Sequence, residues 1–415
     1  MNQLFYTGNR NRLYKEMKVG SILILFSGNL IHKSADDYYP FYTDRNFMYL
    51  TGLEEQGLIF MACKLEESSI REIMYIHKPN PIIERMKGIH IKKEQVNQSS
   101  GINEIKYLSE FDEDLNNLIH SDKYKYIYMD FHTKKDSSDK SKPLFHYSEI
   151  IKEEYPFVSI MNLNPVIRQM RTIKQECEIA AIREAERITR DGIVSMMKAS
   201  RDGMYEYQYK AEFDYAIGQY GPHGAAWASI ISAGKNNFCI HYYEYTGRAE
   251  AGDLILCDVG AWHDGLMADV SRGFPCNGRF TERQRMLYEC ALNTSNHMFE
   301  IIKPGMRMED VDLTIRKYNC EQLKKAGVIM DDNEIGTYMW HGGAHHLGWD
   351  VHDEVERPEV IAPGMVFCVD VGIYHEEWGI GFRIEDNCLV TENGCENLSV
   401  NIPRTPEEIE AVMNG

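Results

Sequence analysis

Two similar segments in the C-terminal half of this chain each carry an acid near their C-terminal end. They are Gly252–Gly260, which reads GDLILCDVG, and Gly364–Gly372, which reads GMVFCVDVG, so each has a glycine, five residues and then Asp-Val-Gly. A fainter pair of similar segments precedes them, SRDGMYE at 200–206 and IKPGMRME at 302–309. These repeats indicate a duplicated helix-plus-strand unit. Two similar halves would pack about a pseudo-twofold axis, and the cleft between them suits a binding site.

A second acid follows each of these segments at the distance of a hairpin. Asp258 and Asp269 are centred on an Asp-Gly turn, and Asp370 and Glu385 are centred on a short loop. Strand pairing across each hairpin therefore predicts that the two acids of a pair face each other. The strands are apolar enough to be buried, and facing carboxylates repel, so the four acids need a cation or raised pKa values. The alternative is that the acids point to solvent and their spacing is coincidental.

A histidine cluster supplies another kind of metal ligand. Trp340–Asp353 reads WHGGAHHLGWDVHD and holds four histidines separated mainly by small residues: His341, His345, His346 and His352. One neutral imidazole added to four carboxylates makes an oxygen-rich site. Such a site favours a hard divalent ion such as manganese over a thiolate-type zinc site, because no cysteine lies among these ligands. Two bridged cations would balance the charge, and metals ~3.5–4 Å apart activate water for hydrolysis.

The elements that must position these residues form two predicted domains, 1–162 and 163–415, with the boundary at the Asn-Leu-Asn-Pro of 162–165. The first domain alternates short strands with helices, which is typical of an α/β domain. The second begins with amphipathic helices whose apolar stripes we expect to face the core. The specific predictions are strands at Ser21–Phe26, Gly57–Cys63, Glu72–His77 and Tyr124–Phe131, helices at Arg10–Met17 and Leu108–Ile119, a surface loop at Lys134–Lys142, and a second-domain helix with Tyr205, Tyr209, Phe213 and Ile217 on its buried face.

The composition of the chain indicates which binding partners and which cellular compartment to expect. The 415 residues carry a net charge of −18, which repels nucleic acid and anionic lipid, so we expect neither nucleic acid nor a membrane as a partner. Hydrophobic residues make up 43% of the chain, enough for two globular cores, yet no apolar run approaches the ~20 residues that span a bilayer. The 10 cysteines form no CxxC pair, and the first residues are polar. We therefore expect reduced, buried thiols in a cytoplasmic protein.

The motifs together resemble the pita-bread metallopeptidases, which include methionine aminopeptidase, prolidase and aminopeptidase P. The histidine cluster, DVSRGFP at 269–275 and RIEDNCLVTENGCENLS at 383–399 are similar to aminopeptidase P and prolidase. SADDYYPFYTDRNFMYLTGL at 34–53 resembles the N-terminal domain of aminopeptidase P, which methionine aminopeptidases lack. Creatinase shares the fold without the metal ligands, whereas this chain has acids at all four acidic positions. The resemblance implies an α/β N-terminal domain and an α+β pita-bread (creatinase/aminopeptidase) catalytic domain with pseudo-twofold symmetry.

The resemblance also implies a set of metal ligands. Asp258 would bind one metal, Asp269 and Glu385 would bridge both, and His345 would bind the second together with Asp370. The family has Glu-Pro-Gly where this chain has Asp370-Val371-Gly372. That glutamate is both a ligand and the acceptor of the proton of the attacking water, and aspartate is one methylene shorter.

Five further residues match family positions that contact or orient the substrate. His241, in FCIHYYE, would lie beside the scissile bond, and His352 would stabilise the tetrahedral intermediate. His341 would line the same pocket, with Tyr374 and Arg383 in support. Catalysis would thus depend on Asp370, His352 and His241.

The sequence therefore predicts a metal-dependent aminopeptidase that hydrolyses the bond between an N-terminal residue and a following proline. It would use two divalent metal ions, with Mn2+ expected, and would act on peptides with proline at position two. We expect a homo-oligomer, dimer or tetramer, in which Asp36 or Asp37 of one subunit could reach a neighbour's active site. Two alternatives stay open. One is a prolidase restricted to Xaa-Pro dipeptides, and the other is a low-activity or inactive pseudopeptidase that binds peptides or proteins.

Overall fold

The computed structural model describes residues 1–131, 143–356 and 358–415. The surface loop predicted at 134–142 lies outside the described residues. The chain divides into two compact units, Met1–Met170 and Arg171–Gly415. The sequence placed the domain boundary eight residues earlier, at 162/163. The difference arises because the Met170 carbonyl accepts hydrogen bonds from Arg12 and Tyr49, which tie the segment after residue 162 to the first unit.

The first unit is built on one mixed sheet of six strands, which lie in the order β6 (Glu104–Tyr107), β5 (Ser69–Ile76), β4 (Ile59–Glu66), β1 (Ser21–Phe26), β7 (Tyr126–Met129) and β8 (Ser159–Asn162). Strand β1 pairs antiparallel with β4 and parallel with β7. The elements are α1 (Gln3–Glu16), β1 (Ser21–Phe26), β2 (His32–Ser34), β3 (Asp37–Tyr38), α2 (Arg45–Thr51), β4 (Ile59–Glu66), β5 (Ser69–Ile76), α3 (Pro81–Lys87), α4 (Lys93–Ser100), β6 (Glu104–Tyr107), α5 (Phe111–Ile119), β7 (Tyr126–Met129), α6 (Pro143–Glu154), β8 (Ser159–Asn162) and α7 (Asn164–Thr172), which runs through the boundary. All four predicted strands are present: the first has the predicted ends, and the other three differ only at their ends.

The second unit contains the same arrangement of elements twice. Two helices and an antiparallel hairpin are followed by two helices and another hairpin. The elements are α8 (Glu176–Ala199), α9 (Glu206–Gly218), β9 (Ile230–Ala233), β10 (Leu254–Val259), β11 (Trp262–His263), β12 (Leu266–Met267), β13 (Val270–Pro275), α10 (Glu282–Ile301), α11 (Met308–Lys325), α12 (Ile335–Tyr338), β14 (Val366–His375), β15 (Ile380–Val390), β16 (Cys395–Asn397) and α13 (Pro406–Asn414). The segments 200–206 and 302–309 occupy matching positions between the helices of each pair, as the internal repeat predicts.

The two hairpins join in one antiparallel sheet of the order β14-β15-β13-β10-β9. Side chains alternate between its two faces, because successive residues of a strand point in opposite directions. On β14, Phe367, Val369 and Val371 belong to the hydrophobic core of this unit. The intervening residues, Cys368 and Asp370, therefore lie on the opposite face.

Two details differ from the sequence predictions. Tyr205 was expected on the buried face of its helix, but it is 39% exposed because it precedes α9 in an extended conformation. Not all thiols are buried, since Cys177 and Cys239 are exposed and Cys395 is intermediate. No helix among the described residues is long and apolar enough to cross a membrane.

Candidate metal centre

A row of polar side chains crosses four neighbouring strands of the second unit's sheet, β14, β15, β13 and β10. Asp370 pairs with Glu385, Glu385 with Ser271, and Ser271 with Asp258. The predicted pairing of Asp370 with Glu385 is therefore confirmed. Because cross-strand neighbours on one face lie only ~4.5–5.5 Å apart at Cβ, the row brings three carboxylates together.

Asp258 and Asp269 share one face of the sheet, as predicted, but their direct pairing is off by two residues. The hairpin turns at Asp264-Gly265, where both residues have positive φ, and the register carried back from this turn places Ser271 opposite Asp258. Asp269 precedes β13 and lies diagonally across from Asp258. It shares the face of Ser271, because the two are two positions apart.

The carboxylates of this group are buried and incompletely paired. Asp269 and Glu385 are each 3% exposed and Asp370 is 8% exposed. One oxygen of each of four acids is buried without a hydrogen-bond partner: Asp258 Oδ1, Asp269 Oδ1, Asp370 Oδ1 and Glu385 Oε1. Burial, together with the neighbouring carboxylates, raises the pKa of Asp269 and of Glu385. Such buried oxygens are costly unless a cation or a proton satisfies them.

His345 brings a nitrogen donor to the buried pair of acids. Its Nε2 lies 3.3 Å from Glu385 Oε1 and 3.5 Å from Asp269 Oδ2. The loop that carries it runs along β14, where the Cys368 N–H donates to the His345 carbonyl and the Asp370 N–H donates to the Gly343 carbonyl, both at 2.8 Å. The histidine is thus positioned by main-chain bonds to the strand that bears Asp370.

Asp258 and Asp370 flank this centre and are held by cationic side chains. Arg383 Nη2 donates to Asp258 Oδ2 at 2.6 Å. Asp370 Oδ2 lies 3.1 Å from His341 Nδ1. Burial opposes ionisation of Asp370, but the attraction and hydrogen bond of His341 outweigh it and lower the pKa of Asp370. The same pair, against the opposing effect of burial, raises the pKa of His341 to about 10.

A chain of hydrogen bonds links these two flanks. Arg383 Nη1 donates to the Tyr374 hydroxyl at 3.1 Å, and that hydroxyl lies 3.0 Å from His341 Nε2. Arg383 Nε also donates to Ser271 Oγ at 3.2 Å, and Ser271 Oγ donates to Glu385 Oε2 at 2.8 Å. Arg383, Tyr374 and His341 thus connect the acids of both hairpins.

The two other predicted histidines are exposed at the border of the site. The ring of His352 lies 4.2 Å from that of His345, centroid to centroid. Its neighbour Asp353 is buried against Lys174 Nζ at 2.7 Å. The carbonyl of Ile240, which precedes His241, accepts a hydrogen bond from Arg383 Nη2 at 3.3 Å. The structure therefore places the segments of both histidines next to residues of the centre.

Comparison with known proteins decides the family. Residues 180–392 match the model of metallopeptidase family M24. The chain belongs to the M24 family. Residues 6–128 match the aminopeptidase P N-terminal domain. The resemblance inferred from the motifs is confirmed.

Relatives in this family align with nearly the whole chain. The Xaa-Pro aminopeptidase of Escherichia coli K12 is 28% identical over 97% of this chain and 96% of its own length. Xaa-Pro aminopeptidase 3 of Rattus norvegicus is 26% identical over 100% of this chain and 86% of its own length. A Bacillus anthracis structure assigned as an aminopeptidase P superposes with a TM-score of 0.96 at 37% identity, covering 100% of this chain and 99% of that one. E. coli aminopeptidase P with the inhibitor Pro-Leu gives 0.90 at 27% identity, with coverage of 100% and 98%. The predicted pita-bread fold is confirmed.

The donors of this M24 chain fit divalent cations. Two groups of potential donors among the described residues have atoms within 4.8 Å of one another. The one in this centre consists of Asp269, His345, Cys368 and Glu385, and the other, in the first unit, consists of Glu55, His77 and His90. The unpaired carboxylate oxygens of the centre supply further ligands. Asp258 and Asp370 are outside this closest group and are bound to Arg383 and His341.

Sequence reasoning missed two residues that the M24 centre contains. Cys368 Sγ lies 3.8 Å from Asp269 Oδ2. Asn387 binds the main chain of Asp269 in both directions, accepting from its N–H at 2.9 Å and donating to its carbonyl at 2.6 Å. Strand periodicity could have found Cys368, since it precedes Asp370 by two positions and therefore shares its face. The role of Asn387 has no local signal, because its partner is 118 residues away.

Proposed function

We propose that this M24 chain is a metal-dependent Xaa-Pro aminopeptidase, which releases an N-terminal residue that precedes proline. The observation that carries the proposal is the buried carboxylate group with unpaired oxygens, beside His345, in a chain that matches aminopeptidase P in both of its parts. Relatives named Xaa-Pro aminopeptidase align over nearly the full length.

The proposed ligands are those that the sequence suggested: Asp258, Asp269, His345, Asp370 and Glu385. When bound, two divalent ions activate water and polarise the scissile carbonyl. Manganese is the proposed metal for the oxygen-rich side formed by the carboxylates. Elemental analysis of the purified protein, followed by reconstitution of the metal-free form with single metals, tests that identity.

We propose that Asp370 accepts the proton of the attacking water on Oδ1, which has no hydrogen-bond partner. Its other oxygen, Oδ2, is held by His341 Nδ1, and Tyr374 in turn contacts His341 Nε2. These contacts fix the direction in which Asp370 presents Oδ1. Arg383 performs the same positioning for Asp258.

The exposed histidines are proposed to contact the peptide. His352, beside His345, would donate a hydrogen bond to the carbonyl oxygen as it gains negative charge. His241 would contact the substrate next to the scissile bond. His341, Tyr374 and Arg383 complete the proposed substrate-binding residues.

For the whole molecule we propose an aminopeptidase P-like N-terminal domain at 1–162, a catalytic domain at 163–415, homo-oligomerisation and a cytoplasmic location. The charge of −18 makes peptides, rather than nucleic acid or membranes, the proposed partners.

One assay separates this proposal from its alternatives. Initial rates are compared for an Xaa-Pro dipeptide, an Xaa-Pro-Xaa peptide and an Xaa-Ala-Xaa control, with and without a chelator. We expect chelator-sensitive release of the first residue from Xaa-Pro-Xaa only, or from both proline peptides. Cleavage of the dipeptide alone makes the protein a prolidase. Inactivity on all three peptides, with metal bound, favours the pseudopeptidase. Two features support that alternative: the Asp370 side chain is one methylene shorter than glutamate, and its Oδ2 lies 3.1 Å from His341 Nδ1.

A further inference from the structure

Cys368 has no role in the ligand set proposed so far, yet it lies inside the centre. It is fully buried on β14, on the same face as Asp370. Its Sγ is 3.8 Å from Asp269 Oδ2 and within 4.8 Å of donor atoms of His345 and Glu385. The Cys368 N–H binds the His345 carbonyl at 2.8 Å, so the strand and the histidine loop keep this sulfur beside the imidazole.

A second observation indicates that a cation belongs at this point. Asp269 and Glu385 are each only 3% exposed, and each has an oxygen with no hydrogen-bond partner. Both acids approach His345 Nε2, at 3.5 and 3.3 Å. An ion among these groups would satisfy the two buried oxygens that have no hydrogen-bond partner among the described residues, Asp269 Oδ1 and Glu385 Oε1.

The chemistry of this group differs from that of the rest of the centre. One imidazole nitrogen, one sulfur and two carboxylate oxygens make four donors of the kinds that zinc binds in tetrahedral sites. Sulfur is a soft ligand, which manganese binds poorly and zinc binds well. Asp370, which would otherwise add a hard oxygen, is 3.1 Å from His341 Nδ1 and is outside this closest group.

We propose that Cys368 is a thiolate ligand of the ion at His345, so that this position of the centre selects zinc over manganese. The two metal positions are then unlike, with a soft site at Cys368 and His345 and a hard site on the side of Asp258. This inference rests on the proposed function only in requiring that the centre binds metal.

Cobalt is the probe, because a cobalt–thiolate bond produces a sulfur-to-metal charge-transfer absorption that oxygen and nitrogen ligands do not. The full-length, metal-free protein is titrated with Co2+ while its near-ultraviolet spectrum and bound metal are measured. We expect the charge-transfer band in the wild type and its loss in Cys368→Ser and Cys368→Thr. Cys257→Ser is the matched control, since Cys257 is fully buried next to Asp258 on the apolar face of β10 and should keep the band.

A competition experiment adds a second readout. Metal-free protein is equilibrated with equal zinc and manganese, and bound metal is quantified. We expect Cys368→Ser to lower the zinc-to-manganese ratio by about tenfold or more, as loss of an inner ligand should cost at least what loss of an outer one does. Circular dichroism shows which of the Cys368→Ser and Cys368→Thr variants is folded, and the folded variant is used.

The outcomes are distinct from those of the peptidase assay. A wild-type protein that binds cobalt without the band, or a band that survives in Cys368→Ser, overturns the inference, and the latter result would point to the exposed Cys239 or Cys177. The inference is also overturned if Cys257→Ser loses the band or if the wild-type protein does not bind cobalt. A protein that shows the band but cleaves no proline peptide keeps the inference and loses the proposed function. A protein that cleaves proline peptides but shows no band keeps the proposed function and loses the inference.

Discussion

At the scale of single residues, the carboxylates of the centre are held in two ways. Asp269 and Glu385 are buried beside other acids, and this raises the pKa of both. Asp258 and Asp370 are instead held by the cationic side chains of Arg383 and His341. The first pair therefore depends most on a bound cation, and the second pair is already oriented without one.

Asp269→Asn is expected to lose bound metal, because the amide removes a negative charge from a proposed bridging ligand of both ions. The loss should exceed half of the wild-type metal content, measured by elemental analysis after dialysis. Asp264→Asn is the control, since Asp264 lies at the turn of the same hairpin, in a left-handed conformation that asparagine also tolerates. Full metal content in Asp269→Asn would contradict the ligand assignment.

Asp370→Glu is expected to raise kcat, metal affinity or both. The added methylene extends the carboxylate by roughly the 1.5 Å of a carbon–carbon bond, and a misplacement of ~1 Å can cost ~100-fold in rate. Steady-state kinetics and metal titration measure the two quantities, with the exposed Asp310→Glu as control. A variant that loses both kcat and affinity would show that the site is built around aspartate and His341.

At the scale of elements, the strands and helices around the centre impose their own limits on side chains. Gly372 of β14 has no side chain because the His341 ring and Tyr374 lie against it, and a Cβ would overlap His341 Nε2. In helix α8, Glu186 is 3% exposed, and its Oε1 accepts a hydrogen bond from Ser399 Oγ at 3.0 Å. Ser399 Oγ in turn accepts from the Asn387 N–H, and Asn387 holds Asp269.

Gly372→Ala is expected to lower kcat by about tenfold or more while the protein remains folded, because His341 must move away from Tyr374 and Asp370. Steady-state kinetics and circular dichroism measure the two effects. Gly218→Ala, where a Cβ meets nothing within 4 Å, should leave both unchanged. Wild-type kcat in Gly372→Ala would show that the position of His341 is unimportant for turnover.

Glu186→Gln is expected to stabilise the protein increasingly as pH rises. Burial raises the pKa of Glu186 from 4.5 to about 8. Between these values the folded state keeps a proton that the unfolded state has lost, so wild-type stability is fully present below about pH 4.5 and falls until pH 8. The stability difference should grow by up to about 1.4 kcal/mol per pH unit.

Denaturant unfolding at pH 5, 6, 7 and 8 measures this difference. Glu184→Gln is the control on the same helix, because a hydrogen bond from Arg187 lowers the pKa of Glu184. That carboxylate is ionised in both states over this range, so its variant should show no rise with pH. A pH-independent difference for Glu186→Gln would mean that Glu186 is ionised in the folded protein.

At the scale of the whole molecule, the proposed oligomer would bring a hairpin of the first unit to the active site of a neighbouring subunit. The hairpin of β2 and β3 is exposed along its length, and apolar side chains beside it are exposed too: Ile31 is 65% and Tyr39 is 53% exposed. Asp36 and Asp37 lie within this hairpin. These features support the proposal that the hairpin meets another subunit.

We therefore expect the wild type to be a dimer or tetramer by light scattering, and the double variant Ile31→Lys/Tyr39→Lys to dissociate with a loss of activity on Xaa-Pro-Xaa. Buried interfaces are depleted in lysine, so two new charges should disfavour association. Leu4→Lys is the control, because Leu4 is 77% exposed on α1. A monomeric, fully active wild type would exclude the shared active site.

The sequence by itself determined the features that depend on neighbours along the chain. Short hairpins have their partners nearby, so the midpoint of Asp370 and Glu385 correctly predicted that they pair. The repeats and family motifs correctly indicated the duplicated fold and the M24 family. The same midpoint argument placed Asp258 and Asp269 on one face but two residues out of register, because the register depends on which two residues form the turn.

Only the tertiary structure decided which distant side chains meet in the centre. Cys368 lies beside Asp269, 99 residues away, and Arg383 binds Asp258 across 125 residues. Both contacts require β15 to pair with β13 and so to join the two hairpins in one sheet. Strand order is set by packing across the whole unit rather than by local propensity, so no pattern within either hairpin specifies it. For the same reason, a cysteine that looked like one more core residue in the sequence lies next to the proposed metal ligands in the fold.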